Sequence, residues 1–249
     1  MVSVPVLLAM ALALLVGSAL QRIAGMGMGM VVAPSLTVLL GAATGVAASN
    51  VAAVLTALLI LVVLRGDVDW GRFAGIAPLM VVGSVVGALV ILVLDASWLD
   101  VLVGSTMLLA LAWSMTVGPR VRVHGTGAAL TAGAAGGFMN ATAGIAGPAM
   151  TVYALATDWG QRSFAATLQP IFLLANLAAL VSKAAVGAIP LDAGLPWAAW
   201  LLVAVSVPVG VLLGGVASRW VGLRAARRAA VTIAVVGAVI TLGRGLGGL

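Results

Sequence analysis

Cysteine and glutamate are missing from this chain of 249 residues, and histidine occurs once, as His124. Without thiols there is no disulfide, thiolate or iron–sulfur chemistry. A lone histidine in a short basic loop has no companions with which to hold a metal. Charge is scarce as well: 7% of residues are charged, against 63% hydrophobic. A soluble domain of this length would have too little polar surface to show water. The acids Asp67, Asp69, Asp95, Asp100, Asp158 and Asp192 all fall at loops or at the ends of apolar runs. None is placed mid-run, where the proton relay of a proton-driven carrier usually sits. An enzyme embedded in the membrane would need a nucleophile with a base, an acid pair or a metal cluster. None of these is on offer, and no cofactor is implied. The strict alternation of a membrane β-barrel is absent too.

What remains is a polytopic, all-α membrane protein. Apolar runs fall at about 2–20, 23–40, 46–64, 73–94, 98–117, 125–143, 145–157, 163–182, 195–216 and 229–246. The first, MVSVPVLLAMALALLVGSAL, lacks the basic segment of a signal peptide and is read as a span. A full crossing takes about 20 residues. The second run is marginal by that measure and the seventh is too short. The expectation is about eight full spans, with broken or re-entrant helices early in each half.

The net charge of +6 is no nucleic-acid footprint, because the basic residues are spread between apolar runs. Counting every run as a crossing puts Arg22, Arg65, Arg72, Arg120, Arg122, Arg162, Arg219, Arg224, Arg227 and Arg228 on one side. Lys183 and Arg244 fall on the other. The positive-inside rule then predicts both termini outside the cytoplasmic membrane. Trp70, Trp98, Trp159, Trp197 and Trp220 lie near run ends, as interfacial tryptophans do, while Trp113 is deeper.

Two stretches do not belong in plain membrane spans. QRIAGMGMGMVVAPS (21–35) combines an amide, an arginine, alternating glycines and a proline, and NATAGIAGPAM (140–150) repeats the idea. A shift of 119 residues superposes Gly17 on Gly136, Gln21 on Asn140, Gly25 on Gly144 and Asn50 on Gln169. With five runs per half, residues 1–120 and 125–249 read as two transmembrane repeats of one integrated domain. An odd number of crossings inverts the second repeat, and broken helices at such a repeat interface mark a transporter's substrate site. Gly25, Gly27 and Gly29 free the backbone of side chains, and Pro34 frees a carbonyl. Gly144, Gly147 and Pro148 do the same in the second half. The pairs Gly83 with Gly87 and Gly210 with Gly214 read instead as close helix packing. Met26, Met28 and Met30 read as adaptable packing, not as metal ligands.

At these residues the chain resembles the sulfite exporter TauE/SafE family of membrane permeases. The likeness lies in QRIAGMGMGMVVAPSL followed by ASN (48–50), and GGFMNATAGIAGPAM followed by TLQP (167–170). The chain departs from the family where methionine alternates with the first-half glycines and where Ala146 stands in place of a glycine. The resemblance implies movement of small anions: sulfite, sulfonates, other organosulfur acids or related carboxylates. For the anion, Arg22 is either a topology charge or a fixed cation able to fork two oxygens. Gln21, Asn50, Asn140, Thr142, Gln169 and Asn176 are either ligands or interhelical hydrogen bonds. A carrier, a gated anion channel and a non-transporting membrane assembly subunit remain distinct readings. Surfaces rich in small residues leave room for a homodimer.

Overall fold

The computed structural model describes residues 3–116, 122, 125–188 and 195–249. The loop residues Arg120, His124 and Asp192 lie outside them. Every apolar run becomes a helix: α1 (Val4–Ala24), α2 (Met28–Leu40), α3 (Ala42–Leu64), α4 (Trp70–Val93), α5 (Ala96–Thr116), α6 (Thr126–Ala143), α7 (Gly147–Ala156), α8 (Gln161–Ala185), α9 (Trp197–Ala217) and α10 (Leu223–Gly247). Seven of these helices are long and apolar enough to cross a membrane, one fewer than the eight spans expected. The difference is α6, whose 18 residues are diluted by glycine, alanine and threonine. At 13 and 10 residues, α2 and α7 cannot cross at 1.5 Å per residue.

Local chemistry sets the boundaries. α1 and α6 both end on a left-handed glycine, Gly25 (φ 78°) and Gly144 (φ 73°), whose N–H closes on the Gln21 and Asn140 carbonyls respectively. A side chain there would be strained, so glycine ends the helix. Asp69 caps α4 by accepting from the Arg72 N–H at 2.9 Å. Prolines do not end helices here: α2 runs on through Pro34, α4 through Pro78, α8 through Pro170 and α9 through Pro208. The first-half break therefore falls at Gly25–Gly27 and not at Pro34, which packs in the body of α2 against Gly237 of α10.

The outside is apolar and the inside carries the amides. Leu8, Leu12, Leu89, Leu109 and Leu212 are exposed, whereas Asn50 and Gln169 are fully buried. That inverted pattern suits lipid, which solvates leucine and not an amide. Small residues bring helix backbones together. Gly83, Gly133 and Gly137 seat α4 on α6, with both helices running the same way, and Gly210 and Gly214 seat α9 on α1 in the same sense. A Cβ at any of these glycines would collide with the facing backbone, as the packing reading expects. α5 and α10 run antiparallel, with Gly104 beside Leu242 and Ser97 beside Gly248.

These directions sort the helix ends onto two faces. Arg65, Arg72 and Arg162 gather where α3 ends and α4 and α8 begin, tied by Arg162 to Asp67 at 2.8 Å and by Arg72 to Asp69 at 3.3 Å. Arg122 pairs with Asp158 at the same end. α9, which runs parallel to α1, also points toward this basic face. Two hairpins enter the bundle from opposite faces. α2 folds back along α1, with Val31 and Val32 beside Gly17, and α7 folds back along α6, with Met150 beside Gly136.

Candidate functional site

The tips of the two hairpins overlap in the middle of the molecule. Gly29, in the first turn of α2, lies against the Gly144 carbonyl, and Met26 lies beside Gly147 in the first turn of α7. Any side chain on Gly29 would displace that carbonyl. Gly27 is pressed against the backbone of Gly17, Leu20 and Gln21, which permits the tight reversal from α1 into α2. Between the tips lies a cavity of about 20 Å³, lined among others by Gln21, Gly27, Gly29, Asn140, Gly144 and Asn176. It has room for about one water. Gly147 and Met28 also line it, so the positive ends of two short helices, α2 and α7, meet at one spot.

Four amides surround this place, and all are buried. Gln21 Nε2 donates to Gln169 Oε1 at 3.2 Å, and Gln21 Oε1 accepts from the Met28 N–H at 3.1 Å. Gln169 Nε2 donates to the Ala165 carbonyl at 2.9 Å and to the Gly25 carbonyl at 3.4 Å. Asn140 Nδ2 donates to Asn176 Oδ1 at 3.1 Å, and Asn176 Nδ2 donates to the Phe172 carbonyl at 2.6 Å. Both breaks are thus stapled to α8.

Asn50 is the exception. It stands beside Gly144, as Gln169 stands beside Gly25, yet neither its Nδ2 nor its Oδ1 has a partner. The Ser49 and Thr37 hydroxyls are unpaired as well. Leaving a buried polar group unpaired costs about 1–3 kcal/mol, so two such atoms on one side chain need a reason.

The remaining candidates are placed as follows. Thr142 is buried and donates to the Phe138 carbonyl at 2.8 Å. Pro148 takes the first turn of α7, where its missing N–H costs nothing. Arg22 does not line the central cavity; it is partly exposed and lies toward Gly215 of α9. Trp159, near a run end, is covered by protein. It is buried under Arg72, whose guanidinium carbon is 4.7 Å from the ring centroid, and it packs edge-on against Tyr153 and Phe164. This cluster covers the basic-face side of α7 and α8. Trp113, by contrast, lines a largely apolar side cavity of about 470 Å³ between α5, α6 and α7.

The opposite face is open. A cavity of about 720 Å³ descends between the α2–α3 turn and the ends of α4, α5, α8 and α10, and Asp100 and Arg244 line it. Arg244 forks Asp100, Nε to Oδ2 at 2.5 Å and Nη2 to Oδ1 at 2.8 Å. The same guanidinium donates to the Thr37 and Val38 carbonyls at 3.1 and 3.3 Å. It therefore caps α2 and ties that helix to α5 and α10.

Sequence reasoning treated Lys183 as a loop charge. It is instead a fully buried side chain near the end of α8, 1% exposed. The signal was its place inside the last apolar turn, two residues before Ala185.

A buried polar site built from two facing helix breaks, inside a bundle with lipid-compatible walls, defines a polytopic membrane transport protein. Within that class the chain belongs to the sulfite exporter TauE/SafE family, whose model matches residues 9–241. The family comprises membrane transporters of the sulfite and anion exporter type, not enzymes. No curated protein and no solved structure matches the chain.

Proposed function

We propose that this protein is a secondary carrier for a small oxyanion: sulfite, a sulfonate or other organosulfur acid, or a related carboxylate. It works by alternating access around the two helix breaks. One observation carries this reading: the N-termini of two half-helices, α2 and α7, meet at a single amide-lined cavity from opposite directions. That arrangement offers partial positive charge to an anion without a fixed cation at the cavity itself.

The helix pairings support a pseudo-two-fold relation between the halves. α9 lies on α1 as α4 lies on α6, and α3 meets α8 while α5 meets α10. The repeats 1–120 and 125–249 are then inverted copies, and both termini are extracytoplasmic. The cavity on the opposite face and the Trp159 cluster on the basic face support a carrier open to one side. A channel would need a continuous wet path, and a cavity of about 20 Å³ is not one.

The test is a thermal-shift screen of the purified protein against sulfite, sulfate, thiosulfate, taurine, sulfoacetate and acetate, followed by counterflow in proteoliposomes. A carrier accumulates labelled anion against an unlabelled internal pool. Stabilisation by none of the six anions, or uptake without counterflow, would defeat the reading.

A further inference from the structure

Lys183 is the largest of the fully buried side chains, and nothing in the bundle accounts for it. It stands in the last turn of α8, where a lysine can reach water by extending along the surface. It does not. Its side chain turns inward to a narrow cleft lined by Ala42, Val46, Ile91, Leu99 and Thr142. Among the described residues no carboxylate lies within ion-pair distance of it. Arg72, Arg122, Arg162 and Arg244 hold Asp69, Asp158, Asp67 and Asp100, and Asp95 caps α5 through the Trp98 N–H. A buried ammonium without a counter-charge is costly, and either loss of its proton or a bound anion relieves it.

The cleft, too tight in this structure to admit a water, adjoins a larger space. Ala42, Ala43, Ile91 and Leu99 line both it and the open cavity above. Below, Val46 borders Gly144, and one turn further along α3 stands Asn50, also beside Gly144, with both polar atoms unpaired. Among the described residues neither Lys183 nor Asn50 has a polar partner, and both stand on helices that border the stretch between the open cavity and the helix breaks.

We propose that Lys183, with Asn50, is the charge-recognition site for the transported oxyanion. The anion reaches it through the cavity beside Asp100 and Arg244 before it meets the helix breaks. Lys183 supplies the counter-charge, and the Asn50 Nδ2 donates to an anion oxygen. This rests on the anion-carrier reading above.

The first test compares Lys183→Met with the parent by thermal shift and by binding of whichever of sulfite, thiosulfate, sulfoacetate or acetate stabilises the parent. The expected result is a loss of affinity of at least about tenfold, the value of one charge-assisted contact, with no lower melting temperature in the absence of anion. A lower melting temperature with unchanged affinity would make Lys183 structural and overturn the inference. The chain has no cysteine, so a single Ala43→Cys variant supplies a second readout that keeps Lys183 in place. The anion that stabilises the parent should slow its modification by 2-sulfonatoethyl methanethiosulfonate. Modification at an unchanged rate would also overturn the inference while leaving the carrier reading intact. A parent stabilised by none of the four anions would instead remove the carrier reading, and the inference with it.

Discussion

The two breaks look alike at the level of the chain but differ residue by residue in their chemistry. Gln169 is satisfied by Gln21 and by the Ala165 and Gly25 carbonyls, whereas Asn50, in the corresponding place, is bare. Both breaks are held by α8, but only the second has an amide beside it, Asn50, with both polar atoms unpaired. Asn50→Leu keeps the volume and removes two unpaired atoms. It should raise the unfolding free energy by about 1–3 kcal/mol, seen as a higher melting temperature in detergent, while anion binding falls. A higher melting temperature with intact binding would mean that Asn50 does not contact substrate. The tip glycines make a second, sharper contrast. Gly29→Ala drives a methyl group into the Gly144 carbonyl and should cost about 1–3 kcal/mol. Gly147→Ala meets nothing nearer than Met26 at 3.8 Å and should cost less than about 0.5 kcal/mol. Melting temperatures of the two variants side by side decide whether the tips touch as described.

At the scale of elements, α2 is the piece most in need of outside support. It is 13 residues long and begins on a glycine with no side-chain cap. Its far end is held by Arg244, which satisfies two of its carbonyls while paired with Asp100. Arg244→Met should destabilise more than the double variant Arg244→Met, Asp100→Asn. The single change strands a nearly buried carboxylate, and the double one removes it. The coupling should be about 1–2 kcal/mol in a double-mutant thermal cycle, moderated because the Arg244 side chain is 39% exposed. Additive effects would show that the clip carries no energy. α7 is shorter still and has a side cavity of about 470 Å³ along one flank. The two hairpins are therefore not equally supported.

The whole molecule is a bundle with a basic face and an opposite face, and orientation in the membrane is the prediction that belongs to this scale. Gly66 and Gly247 are exposed positions where a Cβ meets nothing within 4 Å, and they lie on different faces. In intact cells an impermeant maleimide should label Gly247→Cys and spare Gly66→Cys until the membrane is opened, as the arginine bias requires. The reverse pattern would turn the protein over and, with it, the side from which the open cavity fills.

How much of this was legible in the chain follows from the range of the forces involved. Hydropathy acts locally, so all ten helices could be read from the apolar runs. The break glycines Gly25 and Gly144 and the packing glycines Gly83 and Gly210 were legible too, because glycine's lack of a side chain is a local property. Pro34 removes a donor as the sequence indicates, yet α2 continues through it, because neighbouring helices can support a helix that contains proline. The partners were out of reach. Gln21 meets Gln169 across 148 positions, and nothing in the periodicity of either helix selects that pairing over Gln21 with Asn50. The inward turn of Lys183 and the loneliness of Asn50 are likewise decided only by what packs around them. Composition and pattern alone determined a membrane bundle with two matched breaks. Tertiary structure decided which amides are paired, which one is not and where the buried charge points, because burial and hydrogen-bond partnership belong to the packed whole.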